Sequence, residues 1–141
     1  MKVLFIAPHL STGGMPAFLL KRIQALQQYN DNVEIFVVEW KMYSPTFVVQ
    51  RNQIQELLGD NFIPLHGNKE FQQNIIKICY DNNIDVIHIE EIPEGFDGHN
   101  PFPFEIQEQL YDSSHPWVVV ETCHNIYFNP NEQKKLEPNG Y

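Results

Sequence analysis

Three short segments carry the residue types from which a small-molecule site can be made. The first is Pro8-His9-Leu10-Ser11-Thr12-Gly13-Gly14-Met15-Pro16. Adjacent glycines permit a tight turn and a close approach of backbone to ligand, and Pro16 suits the first turn of a following helix. Such a helix would aim free N–H groups and its positive end at the loop, which favours a phosphate. The loop is neither GxGxxG nor the GK[ST] phosphate loop, and a plain turn accounts for Gly13 and Gly14 equally well. The second segment, Glu90-Glu91-Ile92-Pro93-Glu94-Gly95, crowds three carboxylates together. A carboxylate facing a hydroxyl can accept its proton or its hydrogen bond. Side chains alternate along a strand, so one of Glu90 and Glu91 faces a cleft and the other faces solvent; the residues leave open which. Glu94 reads as solvated. The third segment is Glu121-Thr122-Cys123-His124-Asn125-Ile126-Tyr127-Phe128. His124 is the foremost single candidate, because an imidazole can donate to a hydroxyl or phosphate without carrying a full charge. Tyr127 and Phe128 could stack on a sugar face or pack in the core.

Other reactive residue types have blander readings. Cys123 could be a nucleophile, but it has no dedicated base, and a small buried hydrophobe is preferred. Cys79 completes a pair of reduced thiols. His88 lies within a strand and reads as a packed, hydrogen-bonded core histidine. His9 belongs to the glycine loop and could touch an acceptor, as could Tyr127. His66 follows an outer strand and reads as structural or solvated, while His99 and His115 have no assigned role. No two histidines have metal-ligand spacing, so no metal site is expected.

These segments need a frame that brings them together. Apolar, β-branched runs at Val3 to Ala7, Val33 to Val38, Phe62 to Leu65, Val86 to Ile89 and from Trp117 to Val120 read as strands covered on both faces. Helical faces lie between them: Leu19, Ile23 and Leu26; Phe47, Ile54, Leu57 and Leu58, stopped at Gly59; Phe71, Ile75, Ile78 and Cys79; and Phe102, Ile106 and Leu110. Asn131 to Leu136 reads as a short helix, and Glu137 to Tyr141 as a turn leading into something further, the pattern expected of a truncated domain. Alternating strand and helix predicts an α/β, three-layer Rossmann-like domain with a parallel sheet in the order 3-2-1-4-5. Ligands of such sheets bind beyond the carboxyl ends of the strands, where strand order reverses. Here that point lies between the first and fourth strands, and all three segments follow strands one, four and five.

Bulk properties bound the answer. A chain of 141 residues suits one domain, and 43% hydrophobic and 19% charged residues suit a folded one. The net charge of −9 disfavours nucleic acid and anionic membrane surfaces. The apolar amino terminus is too short for a signal peptide, and no run reaches transmembrane length, so a cytoplasmic protein is expected.

Taken in order, MKVLFIAPHLSTGGMPAFLLKRIQAL, DVIHIEEIPEG and VVVETCHNIYF resemble the first strand with its glycine loop and helix, the fourth strand with its acidic loop, and the fifth strand with its histidine, in the amino-terminal domain of retaining GT-B glycosyltransferases of the group 1/family 4 type. The resemblance runs over nearly the whole chain. It implies one half of a GT-B fold: residues 1–141 as the acceptor-side domain, with the carboxy-terminal donor domain absent. It implies that Gly13 and Gly14 approach the donor diphosphate, that His124 contacts the donor sugar, and that Glu90 or Glu91 lies near the acceptor hydroxyl. Met15-Pro16 departs from the usual Ala/Val-Glu-Arg. The full enzyme would move a sugar from a nucleotide-sugar donor to a carbohydrate or lipid-linked acceptor with retention. It would use no cofactor beyond that substrate, and a polysaccharide biosynthesis setting is implied. The isolated domain would have little activity and could self-associate through its uncovered face.

Two other classes compete. A non-catalytic Rossmann/flavodoxin-like module could bind a nucleotide or sugar phosphate, since fold does not fix function. A dinucleotide-dependent oxidoreductase is disfavoured by the missing GxGxxG, although Glu39, at the end of the second strand, could bind a ribose.

Overall fold

The computed structural model describes residues 1–42, 46, 48–66, 68–91, 102–124 and 136–141. Strands β1 (Lys2–Ala7), β2 (Glu34–Glu39), β3 (Phe62–Pro64), β4 (Val86–Ile89) and β5 (Val118–Glu121) alternate with helices α1 (Gly14–Tyr29), α2 (Val49–Leu58), α3 (Lys69–Gln73), α4 (Ile75–Asp81) and α5 (Phe104–Tyr111). All neighbouring strands pair in parallel, in the order β3-β2-β1-β4-β5. The fold is therefore the α/β Rossmann-like architecture anticipated from the alternation of patterns.

Alternation along each strand sorts the core into two layers. Val3, Phe5 and Ala7 of β1 join Ile35 and Val37 of β2 under Leu19, Leu20 and Ile23 of α1 and Ile54 of α2. Leu4 and Ile6 turn the other way, with Ile87, Ile89 and Val119, against Ile75 and Cys79 of α4 and Ile106 and Leu110 of α5. Burying each valine, leucine, isoleucine or phenylalanine of these layers contributes about 1.5–3 kcal/mol, before the opposing loss of conformational entropy. Trp117 anchors the second layer through its indole N–H, which donates to the Leu110 carbonyl at 2.8 Å.

Several expectations needed correction. The strands were expected to be covered on both faces, and β1 and β2 are. In β5, Val118 is 43% exposed, because α1 and α2 do not reach over that half of the sheet. The helix expected through Phe71, Ile75, Ile78 and Cys79 is two helices. Asn74 ends α3 and begins α4, and its side chain donates to the Glu70 carbonyl at 2.9 Å, competing with the helical ladder. The break leaves Phe71 exposed and buries Gln72. Leu57 of α2 is also exposed, while Gly59 ends that helix at φ 55 as its position suggested. Near the carboxyl end, Asn139 and Gly140 run beside β5: the Asn139 N–H donates to Val119 at 2.7 Å and the Gly140 carbonyl accepts from Glu121 at 2.9 Å. The helix anticipated over residues 131–136 lies, apart from Leu136, outside the described residues, as does Phe47.

Candidate functional site

The segment after β1 places Gly13 as the cap of α1, with φ 145, a conformation open to glycine and strained for other residues. Gly14 is the first helical residue. No acidic side chain stands in the first turn of α1 and no side chain caps it, so its amino-terminal dipole is not neutralised locally. Phe18, on the next turn of α1, meets the His124 ring edge-on with centroids 5.6 Å apart. The amino-terminal end of α1 and the histidine after β5 therefore lie together.

Glu90 joins them. It follows β4 directly, its N–H donates to the Ile6 carbonyl at 2.9 Å, and its side chain is fully buried. Arg22, one turn beyond Phe18, donates through Nη1 to Glu90 Oε1. The same guanidinium lies over the Phe18 ring, its carbon 4.4 Å from the centroid. His124 Nε2 stands 3.2 Å from Glu90 Oε2, so the second carboxylate oxygen accepts from the imidazole. One carboxylate thus holds an arginine with one oxygen and a histidine with the other.

His88 occupies the floor beneath them. Its Nε2 lies 3.2 Å from Arg22 Nη1 and 2.7 Å from Thr122 Oγ1. A guanidinium can only donate, so these partners assign the lone pair to Nε2 and the proton to Nδ1. His88 is accordingly a neutral acceptor, while His124 is a donor. Burial, with Arg22 and then His124 adding repulsion, lowers the His88 pKa from 6.5 to about 4. Burial raises the Glu90 pKa; Arg22 and His124 oppose that rise, and the neighbouring Glu91 charge adds to it. Desolvation therefore outweighs the ion pair at this carboxylate.

Of the carboxylates after β4, Glu90 is the one drawn into the cluster, and Glu91 stands half-buried at the next position. Full burial keeps Glu90 from touching a ligand directly; His124, 23% exposed, is the reachable member of the pair. The chemistry available is that of a Glu–His dyad: a buried carboxylate orients an imidazole that can donate or accept a proton at the sheet mouth. His9 is half-buried in the loop after β1, on the same rim. Tyr127, Phe128, Glu94 and His99 lie outside the described residues. Cys123 is exposed rather than buried, and it sits beyond the end of β5. Among the described residues no group of His, Cys, Asp and Glu could hold a metal, and no helix is long and apolar enough to cross a membrane.

Against known proteins, the chain matches no family model, no curated protein and no solved structure. The site rests on its geometry.

Reading the residues alone missed two members. Arg22 lies four residues after Phe18, so the two share a helix face; that spacing was visible, but a lone arginine on a surface helix carries no signal until a buried acid is found beneath it. Thr122, two residues before His124, carries no signal of its own in the sequence. A second cluster, Glu39 with Arg51 and His66, occupies the end of β2, where His66 had read as structural or solvated.

Proposed function

We propose that this chain is the acceptor-side domain of a retaining GT-B glycosyltransferase, acting with a second domain that grips the nucleotide. The observation that carries the reading is the meeting, at the reversal of strand order, of an uncapped helix amino terminus with a Glu90-held His124. A donor diphosphate would lie at Gly13 and Gly14, where N–H groups and the helix dipole favour it. His124 would contact the donor sugar, and Glu90 would position His124 rather than touch substrate. Nothing in the cluster offers a pocket for a nucleobase, so nucleotide-sugar affinity of these residues alone should be weak.

The test is a titration of isotope-labelled protein with UDP-glucose, GDP-mannose and NAD, followed by amide NMR. Weak saturable shifts at Gly13, Gly14, Arg22 and His124 with a nucleotide sugar, abolished by His124→Ala, are expected. Shifts confined to other residues, or tight NAD binding, would remove the transferase reading; the latter would favour the dinucleotide class.

A further inference from the structure

The opposite end of the sheet, where β4 and β5 begin, carries a cavity of about 240 Å³. It is lined by Cys79, Tyr80, Asn83, Ile84, Asp85 and Pro116, from the end of α4 and the turns that lead into β4 and β5. Among the described residues, no lysine or arginine lines it. Cys79 is fully buried, and burial pushes its pKa up to about 12, so it contributes a neutral thiol. Asp85 supplies the charge. Its Oδ2 accepts from the Lys2 N–H at 2.7 Å, its own N–H donates to the Lys2 carbonyl at 2.9 Å, and its carbonyl accepts from the Val118 N–H at 3.1 Å. The carboxylate is thereby fixed in place by main chain. Nearby ammonium groups are engaged elsewhere: Lys2 Nζ stands 3.4 Å from Glu34, and Lys77 pairs with Asp81.

Tyr80 forms the aromatic part of the lining. Its hydroxyl hydrogen-bonds His115 Nδ1, and its ring stands at 64° to Trp117 with centroids 5.1 Å apart. His115 in turn stacks on Trp117, centroids 4.3 Å apart and planes 13° from parallel. Two rings therefore brace Tyr80, while the residue stays 49% exposed. We infer that this cavity is a binding site for a small organic ammonium ion. The carboxylate sets the sign of the ligand, and an aromatic ring beside it attracts a cation through its π face. Ile84 and Pro116 add apolar surface that suits methyl or methylene groups. A bare metal ion would lack the several oxygen ligands it requires. The volume lies below the roughly 300–1,000 Å³ of drug-sized ligand sites, so the site takes a head group rather than a large molecule. The net charge of −9 raises the local concentration of cations. None of these residues belongs to the transferase reading, and the inference stands apart from it.

The test follows the Tyr80 ring and the Asn83 side-chain amide by NMR in the whole chain, at constant ionic strength. The probes are choline, methylammonium and 3,3-dimethylbutan-1-ol, a neutral molecule of choline's shape. Saturable shifts with at least one of the two cations are expected, and none with the alcohol. Response to choline or to methylammonium tells a quaternary from a primary head group. Tyr80→Leu, a change at a half-exposed side chain, and Asp85→Asn, which keeps an oxygen for the Lys2 N–H, should each weaken binding roughly fivefold. The inference is overturned by silence from both cations, by equal response to the alcohol, by the same shifts from sodium chloride alone, or by unchanged affinity in either variant.

Discussion

Replacing Arg22 by Met asks how much of the rim is held together by one ion pair. Met keeps much of the aliphatic bulk over Phe18 and Phe5 but removes the donor to Glu90. The carboxylate would remain fully buried, with His124 still donating to its other oxygen at 3.2 Å. Breaking a buried pair from one side costs about 3–5 kcal/mol, because the surviving charge stays desolvated. Arg22 is 23% exposed and one donor remains, so the lower end applies, about 3 kcal/mol. For a domain of this size that corresponds to a fall in Tm of about 10 °C. The deficit should also depend on pH. Burial has already raised the Glu90 pKa, and losing Arg22 raises it further, so protonation relieves the variant as pH falls. Urea unfolding at neutral pH and at mildly acid pH should show a large deficit that shrinks on acidification. The double variant Arg22→Met with Glu90→Gln should recover most of the loss at neutral pH, because it removes the stranded charge. If the single variant unfolds within about 0.5 kcal/mol of the parent, the value typical of surface changes, Arg22 is only a surface residue resting on an acid and the described site loses its keystone.

Gly13→Ala should destabilise by roughly 1–3 kcal/mol, the cost of a strained φ, whereas Gly14→Ala, with nothing within 4 Å of the new Cβ, should be neutral or slightly stabilising; thermal melts separate them. His88 is depressed from 6.5 to about 4, so its contribution to stability is intact above pH 6.5 and is lost as pH falls towards 4, by about 3 kcal/mol in all. Glu90 acts in the opposite sense, so the comparison that decides is parent against His88→Gln, whose unfolding free energy should fall less than the parent's, or rise, as pH drops through that window; parallel curves would refute the assignment. A disulfide reagent should modify Cys123 rapidly in the folded protein and reach Cys79, buried and with its pKa pushed up to about 12, only on unfolding. Two equally fast thiols would contradict the packing of α4.

Much of this molecule was legible before any coordinates. Five short apolar runs rich in β-branched residues, separated by helical periodicities, imply a parallel sheet, because run length and β-branching favour strands over helices. Right-handed crossovers then leave few strand orders, among them the observed 3-2-1-4-5. The rim position of Gly13, Gly14, Glu90 and His124 follows in turn, since each stands just beyond the carboxyl end of a strand. These properties depend on local pattern and chain connectivity, which a linear string contains.

What tertiary structure alone decided is which side chains share a proton or a charge. The choice of Glu90 over Glu91, the neutral state of His88, the recruitment of Arg22, and the second cluster at Glu39 all depend on contacts between residues 12 to 68 positions apart. Periodicity says that a residue faces the core; it says nothing about which partner waits there. The split of α3 from α4 at Asn74 and the exposure of Val118 share that origin, a side-chain hydrogen bond in one case and the reach of α1 and α2 in the other. Desolvation is the underlying reason: a buried charge must find its counterpart in three dimensions, and no spacing rule along the chain states where that counterpart will be.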